Sequence, residues 1–426
     1  MKLHNASRSR PAFLALRSCT YFSVFAAIFF AVAFSCYDVY AADSPIRLSI
    51  GLSEEYDDNI FLTRDNTTGD FVTRATPSIT IAYKTAMWDL ALQDTFYWWF
   101  YAKQKKGYYS NDANVSSKLT VIEHLFYFDV TDTYSNVVLN PRGPSTTENR
   151  NINRTDANIF NARPYIKYQI DPVTAVSAGY AYINIWYRSG NGINRQQHEG
   201  FLNIQHAFNP KVKAVLGAEY LVDRPKSGEP NNDQTAVYSS ITYDINPKTT
   251  FDGTVGYRMF RFSEGRDDNR PYYNAGVICR LARKGSVELR ASQLFGVSPT
   301  EGIVETASQR LTASYGEQLS VNGSVYHSRD RYIERDLTND ALGVAGGIVY
   351  APNVRRSYRF SGGYEKDKYL PEDQKRDIYF ASAGVDHKLS KKATLSAIYM
   401  YYKSSGQTET DNYTDNTVRL QLTIEI

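Results

Sequence analysis

The chain's last stretch alternates without a break: Val418, Leu420, Leu422, Ile424 and Ile426 are apolar, while Arg419, Gln421, Thr423 and Glu425 between them are polar. Successive side chains of an extended strand point to opposite faces, so this segment has one greasy and one wetted face. The same pattern opens the chain's structured part, with Ile46, Leu48, Ile50 and Leu52 set against Arg47, Ser49, Gly51 and Ser53. It recurs as Ile79, Ile81 and Tyr83 against Ser78, Thr80 and Lys84, and as Val255, Tyr257 and Met259 against Thr254, Gly256 and Arg258. No helical period of comparable length follows the N-terminal segment.

Turn residues divide this pattern at a regular spacing. Ile170-Asp171-Pro172, Phe208-Asn209-Pro210-Lys211 and Ile245-Asn246-Pro247-Lys248 put prolines at 172, 210 and 247, intervals of 38 and 37. Similar breaks near Ala86, Glu123, Lys284, Gly316, Pro352 and Lys391 bring the number to nine. Between breaks lie two strand patterns and one longer polar segment, as at 141–155, 188–194, 224–233, 265–270 and 366–376. An interval of roughly 37 residues fits two membrane-spanning strands, a short turn and a longer loop. The expected fold is all-β: a transmembrane antiparallel up-and-down β-barrel of about 18–20 strands. A soluble β-sandwich, propeller or β-helix is the competing class. Against it stand the short-long alternation of the polar segments, the aromatic clusters Phe96–Tyr101, Tyr108-Tyr109, Tyr272-Tyr273 and Tyr399–Tyr402 near strand ends, and the apolar terminal strand.

Export is written at the N-terminus, where Lys2, Arg8, Arg10 and Arg17 precede the apolar run Tyr21–Phe34 and the small-residue site Val39-Tyr40-Ala41. Residues 1–41 read as a secretory signal peptide and 42–426 as the barrel, which places the mature protein in the bacterial outer membrane among lipid and lipopolysaccharide. A lipoprotein anchored at Cys36 and a spanning helix over the short apolar run are the weaker readings. Mean hydropathy is −0.45, which excludes a helical membrane protein. The signal removes four basic residues and one acid from totals of 48 Lys+Arg and 45 Asp+Glu, so the mature part is formally neutral and lacks the basic excess of a nucleic-acid binder. Cys279 alone remains of the three cysteines, which excludes a disulfide framework and suits an inert apolar contact.

Alternation assigns Arg74, Lys84, Lys167, Glu219, Arg280, Glu288, Arg290, Arg359 and Arg419 to the lumen as candidate pore-lining residues. Charge on the lipid face costs about 2–4 kcal/mol for Arg or Lys at the midplane, so energetics and pattern agree. Any wide barrel lines its interior this way, and the mixed, mildly basic set also suits passage of a polar or acidic polymer. Tyr97, Trp99 and Tyr101 share the lumen phase beside the lipid-phase Trp98, and are candidate sugar-contact residues as well as candidate girdle residues. The longest polar segment, Leu139–Asp156, is expected to fold inward and narrow a water-filled passage, and no room is expected for a separate plug.

Catalytic patterns are missing. The five histidines of the mature part, at 124, 198, 206, 327 and 387, form no recognisable constellation, and no HExxH, GxSxG, P-loop or dinucleotide fingerprint occurs. The expectation is a non-enzymatic protein with no cofactor and no metal site. The acidic loop Asp57–Asp70 offers oxygen ligands but lacks the spacing and glycine of a calcium loop.

One segment carries a family resemblance. Gly51-Leu52-Ser53-Glu54-Glu55-Tyr56-Asp57-Asp58-Asn59-Ile60-Phe61-Leu62-Thr63 resembles the opening strand and loop of porin-like outer-membrane β-barrels that accompany exopolysaccharide synthesis and exosortase (PEP-CTERM) systems. The resemblance implies a pore assisting exopolysaccharide export, with exopolysaccharide and periplasmic export components as partners. It supplies no binding residues. A general diffusion porin or nutrient channel, and a non-conducting docking barrel for a periplasmic synthesis complex, remain open alternatives.

Overall fold

The computed structural model describes residues 46–426 apart from Thr147, 227–228, Arg266 and 282–283; the expected signal peptide and its boundary lie outside the described residues. The strands are β1 (Ile46–Asp57), β2 (Asp70–Lys84), β3 (Trp88–Tyr101), β4 (Lys106–Ile122), β5 (Phe126–Val138), β6 (Arg154–Asp171) and β7 (Thr174–Tyr187). There follow β8 (Arg195–Asn209), β9 (Val212–Pro225), β10 (Asn232–Asn246), β11 (Thr249–Phe262), β12 (Asp268–Leu281), β13 (Gly285–Ser298) and β14 (Gly302–Gly316). The last six are β15 (Leu319–Tyr332), β16 (Leu337–Asn353), β17 (Arg356–Leu370), β18 (Gln374–Lys388), β19 (Ala393–Gly406) and β20 (Tyr413–Glu425). Each pairs antiparallel with its neighbours in sequence, and β20 returns to β1 from Ser49↔Glu425 to Asp57↔Thr417, closing a 20-stranded cylinder. The count is the upper end of the expected range.

The nine tight turns fall at the expected breaks, and several share one mechanism. Asn209 Oδ1 accepts the amides of Lys211 (2.9 Å) and Val212 (3.0 Å), Asn246 Oδ1 that of Lys248 (2.9 Å), and Asn353 Oδ1 those of Arg355 and Arg356 (2.9 and 3.0 Å). A short polar side chain thus replaces a backbone acceptor and reverses the chain in two residues. At the β14–β15 turn, Gly316 has φ +133° and a Cβ there would stand 1.8 Å from the Leu319 carbonyl oxygen, so only glycine fits.

Burial is inverted relative to a soluble protein. Val255, Leu289, Leu311, Val325, Leu342 and Leu420 are exposed, because their surroundings are hydrocarbon. Aromatic side chains ring this band, with Phe96, Trp98 and Tyr109 toward the outer end and Tyr168, Phe208 and Tyr315 toward the turns. A closed cylinder satisfies every ladder amide internally, which lets strands cross lipid. The protein is an outer-membrane β-barrel.

The buried side chains gather inside the outer half. Ile60, Val72, Trp99 and Tyr101 form a small core with Tyr97 packed on it, and Ala157, Ile185 and Tyr187 form another. One boundary departs from expectation. The polar segment 366–376 is not a loop: β17 continues to Leu370 and β18 begins at Gln374. The reason is that Asp367 and Arg376 face each other inside the mouth at 2.8 Å, so charge there marks a strand rising above the lipid.

Candidate functional site

The outer mouth is crossed by the loop 139–153, the longest connection in the barrel. Its base is tied by Asn153, whose Oδ1 accepts the Asn140 amide (3.0 Å) and whose Nδ2 donates to the Asn140 carbonyl (2.6 Å). From there it meets the wall on several sides. Toward the β17–β18 hairpin, Arg142 binds Glu372 (3.0 Å) and the Leu370 carbonyl (2.8 Å). Toward β20, the Ser145 amide donates to the Tyr413 hydroxyl (3.1 Å), which donates back to the Ser145 carbonyl (3.0 Å), and Glu148 pairs with Arg419. Toward β3 and β4, Arg150 lies 3.8 Å from the Tyr97 ring centroid and pairs with Asp112, while Asn151 Nδ2 donates to the Tyr101 hydroxyl (2.8 Å). Asn149 Nδ2 donates to the Ile60 carbonyl (2.8 Å), and the Thr300 hydroxyl to the Leu139 carbonyl (3.1 Å).

Of the loop's ion pairs, that of Glu148 with Arg419 fixes the charge of a loop carboxyl. Burial pushes the Glu148 carboxyl up, but the paired Arg419 guanidinium, with Arg74 and Arg150 nearby, outweighs it and holds the group below the usual 4.5. Glu148 is therefore an anion at neutral pH. Its partner Arg419 also grips Glu55, which Arg74 binds from the other side.

Beside this loop lies a cavity of about 440 Å³, lined by Trp99, Tyr101, Tyr108 and Tyr109 and by Lys106, Arg150, Arg154 and Arg188. It sits where the wall is incomplete. The β4–β5 ladder ends at Ala113↔Tyr134; above it, residues 106–112 pair only with β3, and 135–138 only with β6. Side chains bridge the notch: Asp112 Oδ1 accepts the Asn136 amide (3.3 Å), and Ser110 and Asn136 donate to Asp156 (2.7 and 3.0 Å). Aromatic faces and guanidinium groups around a partly open cavity suit a ligand with flat rings or anionic groups.

All nine residues assigned to the lumen by alternation lie on the inward phase of their strands, but they divide into two populations. Arg74, Arg419 and Glu219 are locked in the outer half, Glu219 by Arg258 at 3.1 Å. Lys84, Lys167, Arg280 and Arg359 are exposed, and Glu288 and Arg290 form a pair (2.8 Å) that Asp252 extends (2.9 Å). Lys167 borders a second cavity of about 320 Å³, and Arg359 pairs with Asp386 at 2.7 Å. Of the candidate sugar-contact residues, Trp99 and Tyr101 line the larger cavity, whereas Tyr97 packs behind them under Arg150.

Sequence reasoning missed Glu55, Asp112, Glu148, Arg150 and Tyr413. Glu55 sits on the inward phase of β1 and was detectable by alternation. The partners of a loop residue carry no such periodic signal.

No protein-family model and no curated protein matches the chain. Solved structures do. The siderophore receptor PirA from Pseudomonas aeruginosa aligns over 91% of this chain and 81% of its own at 8% identity, TM-score 0.50. The FrpB iron transporter from Neisseria meningitidis (F5-1 variant) aligns over 90% and 83% at 8% identity, TM-score 0.50. A mutant ferric enterobactin receptor PfeA from Pseudomonas aeruginosa, in complex with enterobactin, aligns over 91% and 82% at 7% identity, TM-score 0.51. At these identities the likeness is one of fold: a large outer-membrane barrel.

Proposed function

We propose that the protein is an outer-membrane channel for the uptake of small polar solutes, favouring anionic ones, with the outer cavity as the first binding site and the 139–153 loop as the constriction. The observation that carries this reading is the loop itself, fastened to the β17–β18 hairpin, β20 and the β3–β4 wall at once. A passage so narrowed suits a small solute better than a thick polymer. Arg150 and Arg188 at the cavity are balanced by Asp112 and Asp156, Lys106 and Arg154 add positive charge there, and the exposed Lys167 and Arg280 continue a basic path below. Among the structural neighbours, whose likeness extends only to the fold, an iron transporter and a siderophore receptor are in keeping with a small-solute role. In this reading the barrel conducts and catalyses nothing.

Exopolysaccharide export, implied by the opening motif, gains no support from the structural neighbours. What favours it is the placement of Trp99 and Tyr101 in the cavity, where ring faces can stack on a sugar. Planar-bilayer recording separates the readings. The wild type should show small, anion-selective conductance, and deletion of 141–152 should raise it several-fold. Large conductance blocked by secreted polysaccharide would favour export, and silence in both proteins would favour a docking role.

A further inference from the structure

The closing seam of the barrel holds three carboxylates that no cation among the described residues pairs with. Asp57 ends β1, Asp58 follows it, and Asp415 stands near the start of β20; one carboxylate oxygen from each lies within 4.8 Å of the others. Asp57 and Asp415 are only 5% and 4% exposed. Asp415 Oδ1 is closed off from solvent and meets no hydrogen-bond donor. Among the described residues no Lys or Arg forms an ion pair with any of the three, because the nearby arginines are taken: Arg74 by Glu55, and Arg419 by Glu55 and Glu148. Holding charged carboxylates together in a buried seam costs several kcal/mol each in effective terms, and a cation bound among them offsets that cost.

From this we infer that Asp57, Asp58 and Asp415 form a Ca²⁺ site that clips the first strand to the last. Two features orient the ligands. Asp57 Oδ1 accepts the Asn59 amide (2.7 Å), leaving its other oxygen for the ion, and Asp58 is fixed by the Asn416 amide (2.8 Å) and Nδ2 (2.7 Å). Such outer hydrogen bonds hold ligating carboxylates in place. All the donors are oxygen, with no His or Cys, which selects a hard cation. Calcium–oxygen bonds of about 2.3–2.6 Å allow opposed ligands roughly 4.6–5.2 Å apart, whereas magnesium, at about 2.0–2.1 Å, pulls them closer. The three oxygens lie within 4.8 Å of one another, a reach that calcium spans, and calcium takes a set of protein oxygens readily where magnesium usually keeps several of its waters. The 57–70 segment alone lacks a calcium-loop pattern because the third carboxylate comes from the opposite end of the chain.

The test uses the full barrel refolded in lipopolysaccharide-free detergent and stripped with EDTA. Equilibrium dialysis with Ca²⁺ should find one ion per chain, and Tb³⁺ should give tyrosine-sensitised emission that Ca²⁺ displaces. Calcium should raise the unfolding temperature of the wild type, and the same concentration of Mg²⁺ should raise it less. Asp415→Asn should weaken binding by at least about tenfold and abolish the calcium-dependent rise. The inference is overturned if the stripped wild type binds no Ca²⁺, which needs no variant to fold, or if Asp415→Asn binds as the wild type does. Equal stabilisation by Mg²⁺ would overturn the choice of metal.

Discussion

Single side chains inside this barrel carry more energetic weight than surface charges do, because several charged pairs in the outer half are shut off from water. Arg195 and Asp223 are 1% and 0% exposed and meet at 2.5 Å, and Asn232 Nδ2 donates to Asp223 at 2.9 Å. Asp223→Ala strands a buried guanidinium and should cost about 3–5 kcal/mol, whereas Arg195→Met with Asp223→Leu should cost far less. Urea unfolding in detergent micelles measures both. Glu148 makes a different prediction. Its carboxyl is held below 4.5 in the folded protein, so its link to Arg419 contributes fully above that value and is lost as pH falls through the depressed one. Conductance should therefore stay at its neutral level down to pH 4.5 and rise only below it. Glu148→Gln should reproduce the rise at neutral pH; an acid response unchanged in that variant would show that another group opens the loop.

At the scale of the strand, position decides what a substitution does. Val255 and Thr254 are neighbours on β11, yet Val255 is 63% exposed to lipid while Thr254 bonds Ser240 at 2.8 Å on the inner face. Val255→Arg should destabilise the barrel by about 2–4 kcal/mol, and Thr254→Arg should insert normally and alter only conductance. Measuring the unfolding free energy of the two variants side by side checks the assignment of faces. This period-two logic is also why the fold was legible in the sequence: side-chain direction and turn chemistry are local, so alternation and the Asn-Pro-Lys turns located strands and breaks. Local pattern fails where a strand outruns the lipid. Lys366, Asp367 and Arg376 look like loop residues, and belong to strands because Asp367 finds Arg376 across the hairpin. The site was legible to the same limited extent. The inward phase of Trp99 and Tyr101 follows from alternation, but the meeting of Arg150 with Tyr97, or of Asp57 with Asp415, depends on closure of the whole cylinder.

The molecule as a whole is asymmetric along its axis. Its outer half is filled by the 139–153 loop and by paired charges, and further contacts among the loops reinforce it: the Ile193 amide donates to the Pro299 carbonyl (2.8 Å), and Arg335 binds both Glu229 (3.0 Å) and Glu301 (3.3 Å). The inner half is lined by exposed polar side chains and opens toward the turns. Removing β20 tests the cylinder itself. A chain stopped before Tyr413 loses the partner of both β1 and β19, and should be absent from the membrane fraction rather than present with reduced conductance. The join between first and last strands then has a consequence for biogenesis. Its two halves are the first and last strands of the barrel, so the cost of bringing them together is met only once β20 has been made. An unfinished copy has two raw edges and no stable berth in the bilayer, which makes it a substrate for periplasmic proteases instead of a leak in the cell's outer barrier.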